Sequence, residues 1–490
     1  MAGLVFWALI IFLLYKLRPS SSLHVEISSI ARREKLICLG VVTFLIALCI
    51  VPMAWNPHWT GELHRHHNQY QLLADAFLKG QLYLDMPVDP RLAAMENPYD
   101  AQARDKLNLD ENSGGWDHAF YKGHYYVYFG AVPALIVFAP YKLIVGKSLA
   151  TYHATQIFVA LFIIGLFALF YLFAKKFFPR MSFGVYLMTA FALSMVSISY
   201  CTEAPALYCT ASSSGLCMEV WSVYFFARAA WRDDSRRIFF AEIFIGAFLG
   251  ALAFGCKPTI ALANFLLLPL LPKFFAKDDP RKIFIVLSVP YLITGAALMA
   301  YNYLRFDSVF EFGQAYQLTV TDQHSYGKFS ERFNLSAQID GLLQNFFGID
   351  NNLPRVDNKP SGVLRYVLFW LPIFLLRKKF LVALWKNNLV GFVLVLIFTP
   401  ILITAFQIHW TPFLLERYSL EIYWLLSLLS FIAIGFLSEN KSFNFAICLL
   451  SVVTILQCLN LFFIPNDLNF AAIYPDLRPT LLKILSLGFL

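Results

Sequence analysis

The sequence predicts an all-α polytopic membrane protein with about twelve transmembrane helices and a large outer loop after the second span, a layout like that of lipid-facing helical bundles. Three observations predict it. Of 490 residues, 59% are apolar and 14% charged, against about 25% charged in soluble domains; mean hydropathy is +0.60. The apolar residues fall in continuous runs that as helices cross a hydrocarbon core of about 30 Å, without the alternation of barrel strands. Basic residues crowd some linkers and avoid others, and this bias explains the net charge of +8 without nucleic acid.

The first run, 3–15, has no basic region before it and no small-residue cleavage site after it, so it reads as a retained span or signal-anchor. The second is 36–54. A polar insertion over 55–130 follows, carrying Glu62, His64-Arg65-His66-His67, Asp75, Asp85, Asp100, Asp117 and a tyrosine- and glycine-rich end. Polar loops of this length in a membrane protein point to function. Within it a helix is predicted over 70–79, packed on the bundle by Leu72, Leu73, Ala76 and Phe77. The run 126–145 decides the topology. If it spans, the basic linkers at 175–180, 228–237, 273–282, 377–386 and Lys441 lie opposite the basic 16–35 linker; if it lies in the outer interface, all share the cytoplasmic side. The positive-inside bias selects the second arrangement, and Gly130, Pro133 and Pro140 suit a broken, interfacial helix.

Further spans are predicted at 152–174, 183–200, 215–230, 239–255, 259–275, 283–304, 363–376, 389–406, 420–437 and 443–463. The segments left outside are 55–130, a short loop at 201–212, a second insertion at 305–362, a turn at 409–418, and a tail at 465–490 lying along the membrane. Residues 1–490 thus make a single bundle with two polar insertions. Cys38, Cys49, Cys448 and Cys458 read as core residues. A disulfide among Cys201, Cys209 and Cys217 stays open, and no CxxC pair supports a zinc site.

Chemistry is sought among the outer-facing residues. Glu62, Asp75 and Asp117 are candidate general bases for an acceptor hydroxyl; each alone also reads as a cap, turn or solvated acid. His64, His66 and His67 are dense, but neighbouring side chains diverge, so they read as interfacial or substrate-contacting rather than metal-binding. Lys257, Arg305 and Arg417 sit at outer span ends, where a cation either snorkels or holds a lipid phosphate as it leaves. Glu416 could pair with Arg417. Tyr125, Tyr126, Tyr128, Phe129, Trp59, Trp116 and Trp410 form an interface belt or a sugar-stacking surface. No GxGxxG or Walker sequence is present.

The layout resembles the GT-C superfamily of membrane glycosyltransferases, in an uncharacterised bacterial branch. The local pattern Tyr70, Ala74, Gly80 resembles the helix after that superfamily's acidic pair. The stretches 121–133 and 301–317, with Arg305-Phe306 and Glu311-Phe312-Gly313, look like bacterial members. Lys257 before a proline and Arg417-Tyr418 before a late span are similar to positions that contact the donor phosphate. The resemblance implies sugar transfer, with inversion, from a polyprenyl-phosphate donor to a cell-envelope glycan, lipid-linked glycan or protein acceptor at the outer, periplasmic face of a bacterial plasma membrane. It implies substrate contact by His66, His67, Tyr70 and Tyr126, and no cofactor is required, although a divalent metal is allowed. One departure stands out: His66-His67 occupy the place of the acidic pair, and the nearest upstream acid is Glu62, about one helical turn earlier. The base is then Glu62, Asp75 or Asp117, or the chain is a non-catalytic assembly subunit. The rival from another class is a lipid-linked glycan flippase or transporter, disfavoured by spans that read as nearly free of charge.

Overall fold

The computed structural model describes residues 22–55, 57–60, 68–109, 115–205, 207–233, 235–320, 322–323, 332–349, 362–410, 414–461, 475–476 and 479–480. The predicted first span at 3–15 and nearly all of the 465–490 tail lie outside them. The chain is a helical bundle, and eight helices among the described residues are long and apolar enough to cross a membrane.

Helix α1 (Arg32–Trp55) leads into the first insertion, which holds α2 (Gln69–Leu78), and α3 (Ala139–Val145) follows it. The bundle then runs through α4 (Thr151–Phe177), α5 (Phe183–Glu203), α6 (Leu207–Trp231), α7 (Arg236–Cys256) and α8 (Pro280–Phe306). After the second insertion, which holds α9 (Leu335–Phe347), come α10 (Lys378–Lys386), α11 (Val390–Trp410), α12 (Glu416–Ser438) and α13 (Asn444–Leu461). Helix α12 is the axis: it is buried along its length, with Phe431 stacked on Phe170 at 4.5 Å and Ser427 within 3.0 Å of Ser197. Such small hydroxyl contacts let helix backbones approach inside a bilayer. Helix α8 does the reverse. It turns Phe284, Leu292 and Leu304 outward, each at least 66% exposed, as a lipid-facing helix does.

Two apolar runs form 3₁₀ rather than α-helix: Ile260–Leu270, which passes into a short α-helix over Leu271–Phe275, and Val367–Leu376. A 3₁₀ helix rises about 2 Å per residue against about 1.5 Å in an α-helix, so these short runs reach further than their residue count suggests. The predicted outer loop at 201–212 is corrected. Helix α5 continues to Glu203 and α6 begins at Leu207. The hydroxyl-rich stretch 210–214 looks like a loop, but Ser214 donates back to Ala211 O (2.9 Å) and Thr155 and Thr210 share a hydroxyl contact (2.7 Å), so the helix keeps its polar groups satisfied indoors. The run 126–145 folds as a single π turn (Ala134–Phe138) followed by α3. Together these are too short for a span, and Leu143 and Ile144 are exposed.

The basic linkers gather at one end of the bundle. Arg228 pairs with Glu242 (2.7 Å), Arg236 donates to Asp278 (2.8 Å), Lys441 faces Glu26 (4.0 Å), and Ile27 N donates to Met181 O (3.0 Å). The two insertions join at the opposite end. Hairpin β1 (Ala119–Tyr121) and β2 (His124–Tyr126) turns through Lys122 and Gly123, both at positive φ, the signature of a type I′ turn. Residues 316–318 pair with β1 as an antiparallel bridge, Ala119 opposite Gln317, through Phe120 N to Tyr316 O (2.9 Å) and Leu318 N to His118 O (2.9 Å), and Leu84 N reaches Tyr125 O (2.8 Å) on the far edge. Buried Arg104 ties the insertions by donating to Pro98 O (2.8 Å) and Thr319 O (2.6 Å).

Candidate active site

The site lies where this cap meets the helix ends. Backbone pairing sets Asp117 there: its N–H donates to Leu318 O (3.0 Å), and it sits at φ 58°, a left-handed position that Asp tolerates. The side chain is buried. Tyr208, in the first turn of α6, donates its phenol to Asp117, and Tyr128 donates from 3.4 Å. Burial raises the Asp117 pKa above the usual carboxylate value, while the Tyr208 bond and the nearby Arg417 charge pull it back. Tyr128 is raised well above its ordinary value, again by burial.

The guanidinium of Arg417, in the first turn of α12, lies 3.7 Å from the Tyr208 ring centroid, a cation–π stack. Among the described residues Arg417 has no carboxylate within ion-pair distance. Glu416 turns away to Arg365 (2.6 Å), correcting the expected pairing with Arg417. One turn below, Glu421 pairs with Lys257 (2.5 Å), which also donates to Ser212 (3.0 Å) and lies 5.8 Å from the Tyr418 ring. Gly130 makes this approach feasible: a Cβ there would collide with the carbonyl oxygens of Gly255 and Cys256, the residues before Lys257.

The sequence candidates separate on this geometry. Asp117, Arg417 and Lys257 come together, linked through Tyr208 and Tyr418. Asp75 is paired with Lys142 and holds α2 against α3. Arg305 is buried and committed: it donates to Val127 O (2.6 Å) and Asn302 Oδ1 (2.9 Å), and stacks on Tyr301 at 3.7 Å. Tyr70 is fully buried against Phe138 at 5.5 Å, and Tyr126 packs edge-on to Phe306 at 5.2 Å, so both serve as packing residues here. Glu62, His66 and His67 lie outside the described residues. Cys201, Cys209 and Cys217 are free thiols. Among the described residues no three His, Cys, Asp or Glu side chains gather as a metal-ligand set.

Sequence reasoning missed Tyr208, Glu421 and His118. Tyr208 fell in a segment read as a loop. Glu421 carried a usable signal, since an acid inside an apolar run is costly without a partner. His118, beside Asp117, is buried with Nδ1 2.8 Å from Trp116 O, and burial lowers its pKa to about 4, leaving it neutral. Glu219 was also passed over. It lies midway along α6, wholly buried, with Oε1 accepting from Asn264 (2.6 Å), which in turn accepts from Tyr291 (2.5 Å).

Fold and site together define a helical, multi-pass membrane protein with a charged, tyrosine-lined site at the end opposite its basic linkers. No family model matches the chain, and neither a curated protein nor a solved structure does.

Proposed function

We propose that the chain is an integral-membrane glycosyltransferase of GT-C type, taking its sugar from a polyprenyl-phosphate donor. The observation that carries the reading is the Asp117–Tyr208–Arg417 arrangement: a buried carboxylate of raised pKa beside a cation that, among the described residues, has no carboxylate within ion-pair distance. Asp117 accepts the proton of an acceptor hydroxyl. The hydroxyl oxygen attacks the anomeric carbon, the bond from that carbon to the phosphate oxygen breaks, and the configuration inverts. Arg417 meets the charge of the departing polyprenyl phosphate, while Lys257, neutralised by Glu421, lines the same end. The reading places the described helices, both 3₁₀ runs and the 3–15 segment as about twelve crossings, with this site on the outer face of a bacterial plasma membrane. The acceptor is a glycan, a lipid-linked glycan or a protein.

The test uses the purified full chain with radiolabelled polyprenyl-phosphate hexoses and pentoses and acceptor-containing membrane extract. Asp117→Asn should lose about 10²–10⁴-fold in rate, and Arg417→Gln about 10²–10³-fold, while Asp75→Asn keeps its activity. Full transfer by both Asp117→Asn and Arg417→Gln would sink the mechanism; loss in Glu62→Gln alone would return the base to Glu62.

One observation favours a second reading, a lipid-linked glycan transporter. The buried Glu219–Asn264–Tyr291 chain is the kind of intramembrane polar group found on transport paths. Translocation of labelled lipid-linked glycan in proteoliposomes without sugar transfer, abolished in Glu219→Gln, would select it.

A further inference from the structure

The basic end of the bundle holds a cleft that the proposed reaction does not use. It has a volume of about 60 Å³, room for roughly four to six waters at about 10–15 Å³ each, the scale of one phosphate group. Lys176, Lys273, Asn387 and Asn388 line it together with Trp231 and Phe392. The aromatic side is rigid: Phe173 packs edge-on to Trp231 at 4.7 Å and to Phe392 at 5.5 Å.

The two lysines of this cleft stand apart from the ion pairs of the described residues. Four of the described acids at this end pair with other cations, Glu242 with Arg228, Asp278 with Arg236, Asp233 at 3.8 Å with Lys277 and Glu26 at 4.0 Å with Lys441. Among the described residues neither Lys176 nor Lys273 has a carboxylate within 4 Å. Ordinary snorkelling lysines project singly into water from helix ends. These two come from separate segments, α4 and Leu271–Phe275, and border one concavity between them. Farther along α11, Leu394, Phe398 and Leu402 are each at least 46% exposed, an apolar stripe open to lipid.

We propose that this cleft binds the phosphate of an anionic lipid headgroup, with Lys176 and Lys273 as its cationic pair, Asn387 and Asn388 as hydrogen-bonding partners and the exposed stripe of α11 as the seat of the acyl chain. The site lies at the opposite end from Asp117 and Arg417, so it stands or falls independently of the proposed catalysis. A basic pocket between helices at the positive side of a membrane protein suits anionic headgroups.

The test is native mass spectrometry of the full chain released from detergent, with phosphatidylglycerol, phosphatidylethanolamine or inorganic phosphate as separate probes. Phosphatidylglycerol should stay bound in preference to phosphatidylethanolamine. Lys176→Gln/Lys273→Gln should weaken it about tenfold to thirtyfold, on the basis of about 1 kcal/mol per surface lysine. Lys176→Arg/Lys273→Arg should retain binding, and so should Lys378→Gln/Lys379→Gln at the same end. Both lysines are exposed, so an unchanged melting temperature without lipid confirms that the Gln pair is folded. Binding by the Gln pair equal to wild type overturns the proposal. Retention of inorganic phosphate with no lipid adduct overturns the headgroup as its source.

Discussion

Tyr208 touches both members of the charge arrangement, its hydroxyl on Asp117 and its ring under Arg417. The two roles can be separated, because Phe keeps the ring and removes the donor. As the proposed base, Asp117 must be ionised, so the proposed transfer should fall as pH drops through its folded pKa. Burial sets that pKa above the ordinary 3.8, and the Tyr208 bond lowers it. Tyr208→Phe therefore moves the acid limb of the rate profile to higher pH, and Tyr128→Phe, losing a longer bond of 3.4 Å, moves it less. An acid limb unmoved in Tyr208→Phe would detach this pair from the chemistry. The stability sign is the opposite of the usual salt-bridged acid. A carboxyl whose folded pKa lies above its unfolded value is a cost at every pH above that unfolded value, so its ionised form weakens the fold at neutral pH. Asp117→Asn keeps an acceptor for Tyr208 and accepts the left-handed backbone. It should hold or raise the melting temperature while the proposed transfer falls about 10²–10⁴-fold, and a fall of several degrees would assign Asp117 to structure instead.

At the scale of elements, the seat of Lys257 depends on how closely the cap approaches the end of α7. Gly130 has no room for a Cβ against two backbone carbonyls that cannot rotate away, whereas Gly123, at φ 76°, has open space around it. Gly130→Ala should cost about 1–3 kcal/mol, as an overpacked core does, and Gly123→Ala about 1 kcal/mol from backbone conformation alone. Thermal unfolding of the two variants checks the order, and equal small losses would show that the approach of cap to helix is loose. Gly130 was legible as a break, because glycine beside Pro133 and an apolar run marks one; that the break faces Gly255 and Cys256 was not, since nothing local encodes a contact more than a hundred residues away. The same limit hid the bridge between 316–318 and β1. Tyr316-Gln317-Leu318 is too short to carry a period, and its extended pairing is set only by contact with β1.

For the whole molecule, the legible quantity was charge. Each basic linker was visible in the sequence, and the fold brings them to one end because apolar helices can only return through the bundle and lysine does not cross lipid. Less legible was the interior of α6, where Ser212, Ser213, Ser214 and Glu219 lower the apolar signal yet are buried; the sequence pattern measures contact with lipid, and this helix has little. The sidedness that follows can be tested without knowing any substrate. The native thiols are buried or half-buried, so a membrane-impermeant maleimide reports on introduced cysteines. Trp116→Cys, at a position 50% exposed in the cap, should label from the outside of intact cells. Arg180→Cys and Lys441→Cys, at exposed positions of the basic end, should label only after the membrane is opened. If Arg180→Cys and Trp116→Cys labelled from the same side of intact cells, the basic end and the Asp117 site could not lie on opposite faces of one bilayer. A lipid-phosphate donor would then have no consistent leaflet from which to reach Arg417.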